Sequence, residues 1–391
     1  MMLSKRALVM VYNDPGSDPR PRRTVRLLNE LHYRVDVLTY GHKASRTVNK
    51  AYIIPSNGRR KKYARVMWFF LNKCIRIYEF AGLYLGIEMD KLYVNRFNLK
   101  RICCDLKANS YSLIVVEDLD LLPVANFIRH LGNIVFDARE YYPKQNEENR
   151  WFRFVEAKRR NALLRRYLPV CDEFITVSPG LANAYAKEFG ANPQVILSTP
   201  DYREVKIKPA ETNMIKLVHH GIANRNRRLG NMIEIVKRLD NRYSLDFYLT
   251  GSVKYIEELK DAAKGHDCII FNDPVEFDMI IPTLSNYDIG FYFLEPIGFN
   301  VTYNLPNKIF EFIQSRLAVV IGPSPNMAEI VSKYSCGFIS NEFSIDSMVD
   351  TLDKLTLEDI NTAKRNSDRA AKELCFEEES KKYRRLLETL V

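Results

Sequence analysis

Short runs of β-branched and aromatic residues alternate with longer stretches of helical period along nearly the whole chain, and this alternation admits few folds. Residues 7–12, 35–40, 113–117, 134–137 and 173–177 read as buried strands, with helical stretches such as 22–32 and 153–167 between them. The charged segment 200–213, with two prolines, breaks the rhythm and reads as a linker. Strand-like runs resume at 215–220, 245–250, 268–271, 289–294 and 318–321, separated by helix-like 229–239, 254–263 and 307–315. The expectation is an α/β protein of two tandem, Rossmann-like, doubly wound domains, 1–199 and 200–371. A ligand cleft is expected between them, at the carboxyl ends of the strands. Residues 357–391, rich in Glu, Lys, Arg and Leu, read as long surface helices, the stretch 372–391 being the candidate to pack back on the first domain.

Charge divides along the same line. Of 58 Lys and Arg and 48 Asp and Glu, residues 1–200 hold 33 basic against 19 acidic side chains, and residues 201–391 hold 25 against 29. A basic amino-terminal half suits an anionic partner: nucleic acid, anionic lipid or a phosphorylated substrate. No helix-turn-helix, zinc-finger or RNP-like signal is present, so nucleic acid is set aside. The cluster Arg59, Arg60, Lys61 and Lys62 leads into a helical stretch carrying Trp68 and Phe69. Val66, Phe69, Phe70, Ile77 and Phe80 share a side, interrupted by Lys73, which suits a helix lying in an anionic membrane surface or a core helix behind a solvated basic loop. The longest uncharged apolar run, 66–71, is far short of the ~20 residues of a membrane span. Residues 1–12 lack a signal-type apolar region. Seven cysteines without metal-ligand spacing argue for a reducing compartment and against zinc. The chain is therefore expected in the cytoplasm, peripheral on the inner face of the plasma membrane.

Three stretches carry chemistry. The loop 13–21 precedes a helix that opens with arginines, so backbone N–H groups and Arg20, Arg22 or Arg23 are placed to face an anion. No GxGxxG or P-loop sequence accompanies it. In the second half Gly221 follows a strand and precedes Arg225, Arg227 and Arg228, a pattern suited to close approach of a diphosphate with forked donors, or to solvated surface arginines. Further on, Pro306 stands where a helix starts, and Glu311 lies within an apolar helix, where a carboxylate needs a partner: a salt bridge or the vicinal hydroxyls of a ribose. Helix amino termini at Asn307 and Met327 add donors for phosphate.

The stretch 303–321, YNLPNKIFEFIQSRLAVVI, together with Gly221 and its arginines, resembles the donor signature of family 4-like glycosyltransferases of the GT-B fold. Segments containing Ser17-Asp18-Pro19-Arg20, Glu117-Asp118-Leu119-Asp120, the run 137–143, Val177-Ser178-Pro179-Gly180 and Thr250-Gly251 are similar to segments of those enzymes in the same order, covering nearly the whole chain. The resemblance implies a nucleotide-sugar-dependent hexosyltransferase of surface polysaccharide, capsule, lipopolysaccharide or glycolipid synthesis, retaining and metal-independent, with a UDP- or GDP-sugar as donor and a lipid-linked or glycan acceptor. Glu311 would bind the donor ribose. Asn304, seven residues before Glu311, is the implied contact to the donor sugar, an amide that can bond to its hydroxyls. Gly221, Thr250, Gly251, Pro306, Asn307 and Lys308 complete the implied donor site, and Arg225, Arg227 or Arg228 would hold the diphosphate.

In the first domain the resemblance points to Asp18, Arg20, Asp118, Arg139 and Glu140. Related enzymes often have histidine where this chain has Glu117 and Arg139. Glu140 or Asp118 is the candidate base, and Arg139 a stabiliser of leaving phosphate. Ordinary structural roles are the alternative: Asp118 as a helix cap, Glu140 paired with Arg139. Two other functions fit the same architecture: a sugar-nucleotide epimerase, and a catalytically inactive module binding a nucleotide sugar or lipid head group.

Overall fold

In the computed structural model of the 391-residue chain the described residues are 5–41, 47–54, 62–210 and 214–390, with 62–69 described by backbone alone. The chain divides into two compact units, Met1–Ile196 with Tyr383–Val391, and Leu197–Lys382.

Unit one is built on seven strands: β1 Arg6–Met10, β2 Arg34–Thr39, β3 Lys50–Ile53, β4 Leu113–Val116, β5 Asn133–Ala138, β6 Glu173–Thr176 and β7 Gln194–Val195. They lie in the order β3-β2-β1-β4-β5-β6-β7, every pair parallel, with Ala7 level with Val35 on one side and Leu113 on the other. All four residues of β4 and Ala7 to Met10 of β1 are fully buried. Helices on both faces require this, and it is why these strands read as unbroken apolar runs. Each such Val, Leu or Ile contributes about 1.5–3 kcal/mol. Strand order reverses between β1 and β4, so their carboxyl ends open a crevice. The helix Pro19–Glu30 begins there: Pro19 opens it, and the Asp18 side chain accepts from the Arg20 N–H.

Unit two repeats the plan with β8 Ile215–Ala223, β9 Tyr243–Gly251, β10 Ile269–Asn272, β11 Ile289–Tyr292, β12 Ala318–Ile321 and β13 Gly337–Ile339, in the order β10-β9-β8-β11-β12-β13, again all parallel. Its switch point lies between β8 and β11. The expected doubly wound α/β class is the one found in both units.

Several local expectations are corrected. β8 does not stop at residue 220; it runs through Gly221, paired with Leu249, to Ala223. The short strands β3, β7 and β13 lack the apolar length that marks a strand in sequence. Residues 200–210 are tied to unit two: the Arg203 N–H donates to Gln314 Oε1 (3.1 Å) and the Ala210 N–H to Asn361 Oδ1 (2.8 Å). The carboxyl-terminal stretch breaks after Glu373, into Leu357–Glu373 and Phe376–Glu388, because Leu374 leaves helical geometry (ψ 60°). The first of these is no surface helix. Its Ile360, Ala363, Ala370 and Ala371 are buried, and Lys364 donates to Tyr287 O (2.9 Å) and Asp288 Oδ1 (3.0 Å).

Among the described residues no helix is long and apolar enough to cross a membrane. Arg59, Arg60 and Lys61 lie outside the described residues, and for Lys62, Trp68 and Phe69 only the backbone of the helix Lys62–Tyr84 is described. Further along that helix Glu79 and Leu83 are buried, while Phe70, Leu71, Ile77, Tyr78 and Tyr84 are exposed. Lys73 sits over the Trp151 ring, 4.8 Å from its centroid.

Candidate active site

In unit two the sequence-predicted residues converge at the carboxyl end of β8. Gly221 has φ +122°, and a Cβ there would lie 2.4 Å from Lys308 Cε and 2.5 Å from Lys308 Nζ. Glycine is thus required by the backbone angle, and any side chain there would make the flexible end of Lys308 move. The close approach inferred from the sequence is made by a lysine side chain of the same unit. Lys308 comes from the first turn of the helix Asn307–Gln314, which Pro306 precedes in extended conformation at the cap position. Burial, reinforced by Arg227, pushes the Lys308 ammonium down to about 8, against the pull of Glu311.

The three arginines separate. Arg225 pairs with Glu258 beside the Tyr255 ring, and Arg228, in left-handed conformation (φ +46°), pairs with Glu295. Arg227 donates from Nη1 to Ile222 O (3.2 Å), while Asn224 Oδ1 accepts from its backbone N–H (3.1 Å). Arg227 and Lys308 are therefore the two cations at Gly221. Thr250 and Gly251 end β9 opposite Ile222 and Ala223, on the flank of the same feature.

Glu311 is 5% exposed between Phe310 and Phe312, and His220 is one partner of the kind its burial demanded. His220 Nε2 stands 3.1 Å from Glu311 Oε2, a contact without the alignment of a hydrogen bond. Next to it His219 is fully buried, and its Nδ1 lies 2.9 Å from Phe291 O. Burial, and then Lys308, hold the His219 imidazole well below its ordinary range, so the ring is neutral. A carbonyl only accepts, so Nδ1 carries the proton and Nε2, with no partner among the described residues, is a buried acceptor. Asn304 Nδ2 donates to Tyr292 OH (3.3 Å) and leaves Oδ1 buried without a partner among the described residues. The helix foreseen at Met327 begins two residues earlier, at Pro325, and Asn326 Nδ2 donates to Tyr303 O (2.5 Å). The sequence reading missed His219, His220 and Tyr292. Tandem histidines in a buried strand directly before the glycine were the available signal.

In unit one the crevice residues form an acid–arginine cluster. Arg139 donates from Nη1 to Asp18 Oδ2 (2.6 Å) and from Nη2 to Asp118 Oδ1 (3.4 Å). Asp118 also accepts the Tyr12 N–H (2.7 Å) and makes no helix-cap bond. Both structural alternatives are thereby corrected: Asp118 does not cap a helix through its side chain, and Arg139 pairs with these two aspartates. Glu140 leaves Oε2 buried without a partner among the described residues, and burial raises its carboxyl above the usual range. Arg20, expected to face an anion, is buried: Nε donates to Asp137 Oδ2 (2.7 Å) and Nη1 to Ile196 O (3.0 Å). Beside it Glu117 is fully buried with neither carboxylate oxygen bonded among the described residues. Burial, then Asp137, push its carboxyl up to about 8, with Arg139 and Arg20 acting in the other direction. Glu117 and Asp137 were read only as parts of motifs, since their burial depends on strands β4 and β5 lying side by side.

Asp118 and Asp120 stand two residues apart but serve different partners, Asp118 the pair just described and Asp120 Arg76 and Arg159. Among the described residues no group of three or more His, Cys, Asp or Glu is placed to hold a metal ion.

The two parallel units define a protein of GT-B fold, the fold of the glycosyltransferases that the sequence resembles. Anabaena HepE in complex with UDP is similar at 12% identity, over 98% of this chain and 100% of that one, with a TM-score of 0.69. Sucrose-phosphate synthase from Thermosynechococcus elongatus is similar at 12% identity over 99% of both chains (TM-score 0.70), and WaaG, a glycosyltransferase involved in lipopolysaccharide biosynthesis, at 12% over 96% and 98% (TM-score 0.65). No family model matches the chain, and no curated protein matches it in sequence.

Proposed function

We propose that the protein is a glycosyltransferase that moves a sugar from a nucleotide-diphosphate sugar to a glycan or lipid-linked acceptor, in the synthesis of a surface polysaccharide or glycolipid. The observation that carries this reading is the cradle of Gly221, Arg227 and Lys308 beside the buried Glu311, at the switch point of a Rossmann-like unit. UDP in the HepE structure and the pathway of WaaG support the donor and the product class.

In this reading unit two holds the donor and unit one the acceptor. The bond between the anomeric carbon and the diphosphate breaks, and the negative charge that builds on the diphosphate is met by Arg227, Lys308 and the helix terminus at Asn307. The acceptor hydroxyl forms the new bond with retention, and its proton passes to a carboxylate, Glu140 with its unpartnered oxygen or Asp118. The exposed apolar residues of the helix Lys62–Tyr84, which follows the basic cluster in sequence, support a peripheral position on the cytoplasmic membrane face.

Calorimetry with UDP-, GDP- and CMP-sugars, followed by assay of nucleotide release, tests the donor site. Glu311→Ala should weaken the tightest of them by about 1–3 kcal/mol, and no binding by any of them refutes the reading. Binding without turnover on lipid-linked acceptors would indicate a binding module. Conversion of the sugar without an acceptor would indicate an epimerase, a reading that the buried Glu117 and Asp137 acids also serve. Binding to phosphatidylglycerol vesicles should weaken steeply with salt, and binding that ignores salt refutes the membrane placement.

A further inference from the structure

Unit one carries a cavity of about 720 Å³ beyond the carboxyl ends of β1 and β2, apart from the acid–arginine cluster but next to it. One wall is aromatic. Tyr12, Tyr40 and Phe97 pack against each other with ring centroids 5.3, 6.1 and 6.4 Å apart. Another is ionic, with Arg76, Arg96 and Asp120. The side-chain amides of Asn72 and Asn95 also line it, and among the described residues neither has a protein hydrogen-bond partner.

The ionic wall is already paired. Arg76 contacts Glu79 (3.1 Å), Asp120 (3.0 Å) and Glu156 (3.2 Å), and Arg96 pairs with Glu79. Behind them the fully buried Arg159 contacts Asp120 (2.7 Å) and Glu156 (2.9 Å). Arg160 also approaches Glu156 (3.8 Å), and both guanidiniums of the wall, Arg76 and Arg96, are held by carboxylates. A phosphate entering the cavity would have to compete with buried carboxylates for every arginine, leaving charges desolvated and unpaired. An uncharged ring with hydroxyl groups meets no such penalty. Its C–H face packs on the aromatic wall, and its hydroxyls find both donors and acceptors in the two free amides.

We propose that this cavity is the acceptor subsite and that it recognises an uncharged sugar ring, the end of a glycan, rather than a sugar phosphate or lipid phosphate. This rests on the glycosyltransferase reading and narrows it. The cavity abuts the cluster that reading uses: Tyr12, part of the aromatic wall, gives its backbone N–H to Asp118.

Cys74 lines the cavity and is exposed, and Cys104 is exposed outside it, so alkylation by iodoacetamide read peptide by peptide reports occupancy with an internal reference. The probes are methyl α-glucopyranoside, methyl β-galactopyranoside, methyl α-mannopyranoside and glucose 6-phosphate. At least one neutral glycoside should protect Cys74 in a saturable manner without affecting Cys104, and glucose 6-phosphate should protect less. Asn95→Ala, at an exposed position, should lose that protection while keeping the parent melting temperature. Failure of every neutral glycoside, or protection by glucose 6-phosphate at lower concentration, overturns the proposal. Nucleotide-sugar calorimetry on the same samples separates the two failures: binding of a nucleotide sugar without protection sinks only the acceptor subsite, and protection without nucleotide binding sinks the glycosyltransferase reading and with it the acceptor role, leaving a neutral-sugar site.

Discussion

Lys308 occupies the space that a side chain at position 221 would need: a Cβ on Gly221 would sit 2.5 Å from Lys308 Nζ. Two segments 87 positions apart in the chain are thus fitted to each other, and the glycine serves the lysine before it serves any ligand.

Gly221→Ala should therefore act twice. Holding alanine at φ +122° costs about 1–3 kcal/mol of stability, and relief of the clash displaces the Lys308 ammonium. Thermal unfolding should show the first effect and nucleotide-sugar calorimetry the second. A variant that melts lower but binds as the parent does would remove Lys308 from the donor site.

The same lysine makes donor affinity depend on pH. Its ammonium is held down to about 8, so the charged form prevails below that pH and is lost above it. Affinity for the tightest-binding nucleotide sugar should fall as pH rises from 7 to 9, and Lys308→Arg, charged throughout, should flatten the curve. A flat profile in the parent contradicts the assignment.

Glu117 gives a stability signature of defined sign. Its carboxyl, pushed up to about 8 in the folded protein, keeps its proton where the unfolded chain has released one. The contribution to stability is complete below the ordinary glutamate range and is lost as pH rises through about 8. Glu117→Gln, neutral at every pH, should melt close to the parent at pH 5 and above it at pH 9. Equal differences in melting temperature at both values would show that Glu117 is ionised in the fold.

Lys364 tests the core of unit two. Its Nζ is buried against Asp288 Oδ1 and Tyr287 O, so Lys364→Met strands a carboxylate. The expected loss is about 3–5 kcal/mol, read by denaturant unfolding, with partial recovery in Lys364→Met/Asp288→Asn. A loss no larger than that of a surface substitution would show that solvent reaches Asp288.

The arginines after Gly221 show where the sequence stopped being informative. Arg225, Arg227 and Arg228 are equivalent as a string, and only Glu258 and Glu295, brought in from other segments, occupy two of them and leave Arg227 at the glycine. Arg20 looked like an exposed anion ligand because Asp137, which buries it, is 117 positions away. The break after Glu373 had no glycine or proline to announce it, since the Phe376 N–H is drawn instead to Pro200 O (2.8 Å).

What the amino-acid sequence determined by itself is the class of structure: runs of apolar residues too short for helices and buried on both faces leave parallel α/β units as the outcome, and Pro306, Gly221 and Glu311 already mark a site, because backbone angle and burial are local demands. Tertiary structure alone decided which charges remain available. Whether an arginine or a carboxylate is spent on a neighbour depends on partners that the sheets bring together from distant segments. That is how Arg227 and Lys308 were separated from their neighbours, Glu117 came to keep its proton, and the arginines beside Tyr12 were spent on Glu79, Asp120 and Glu156.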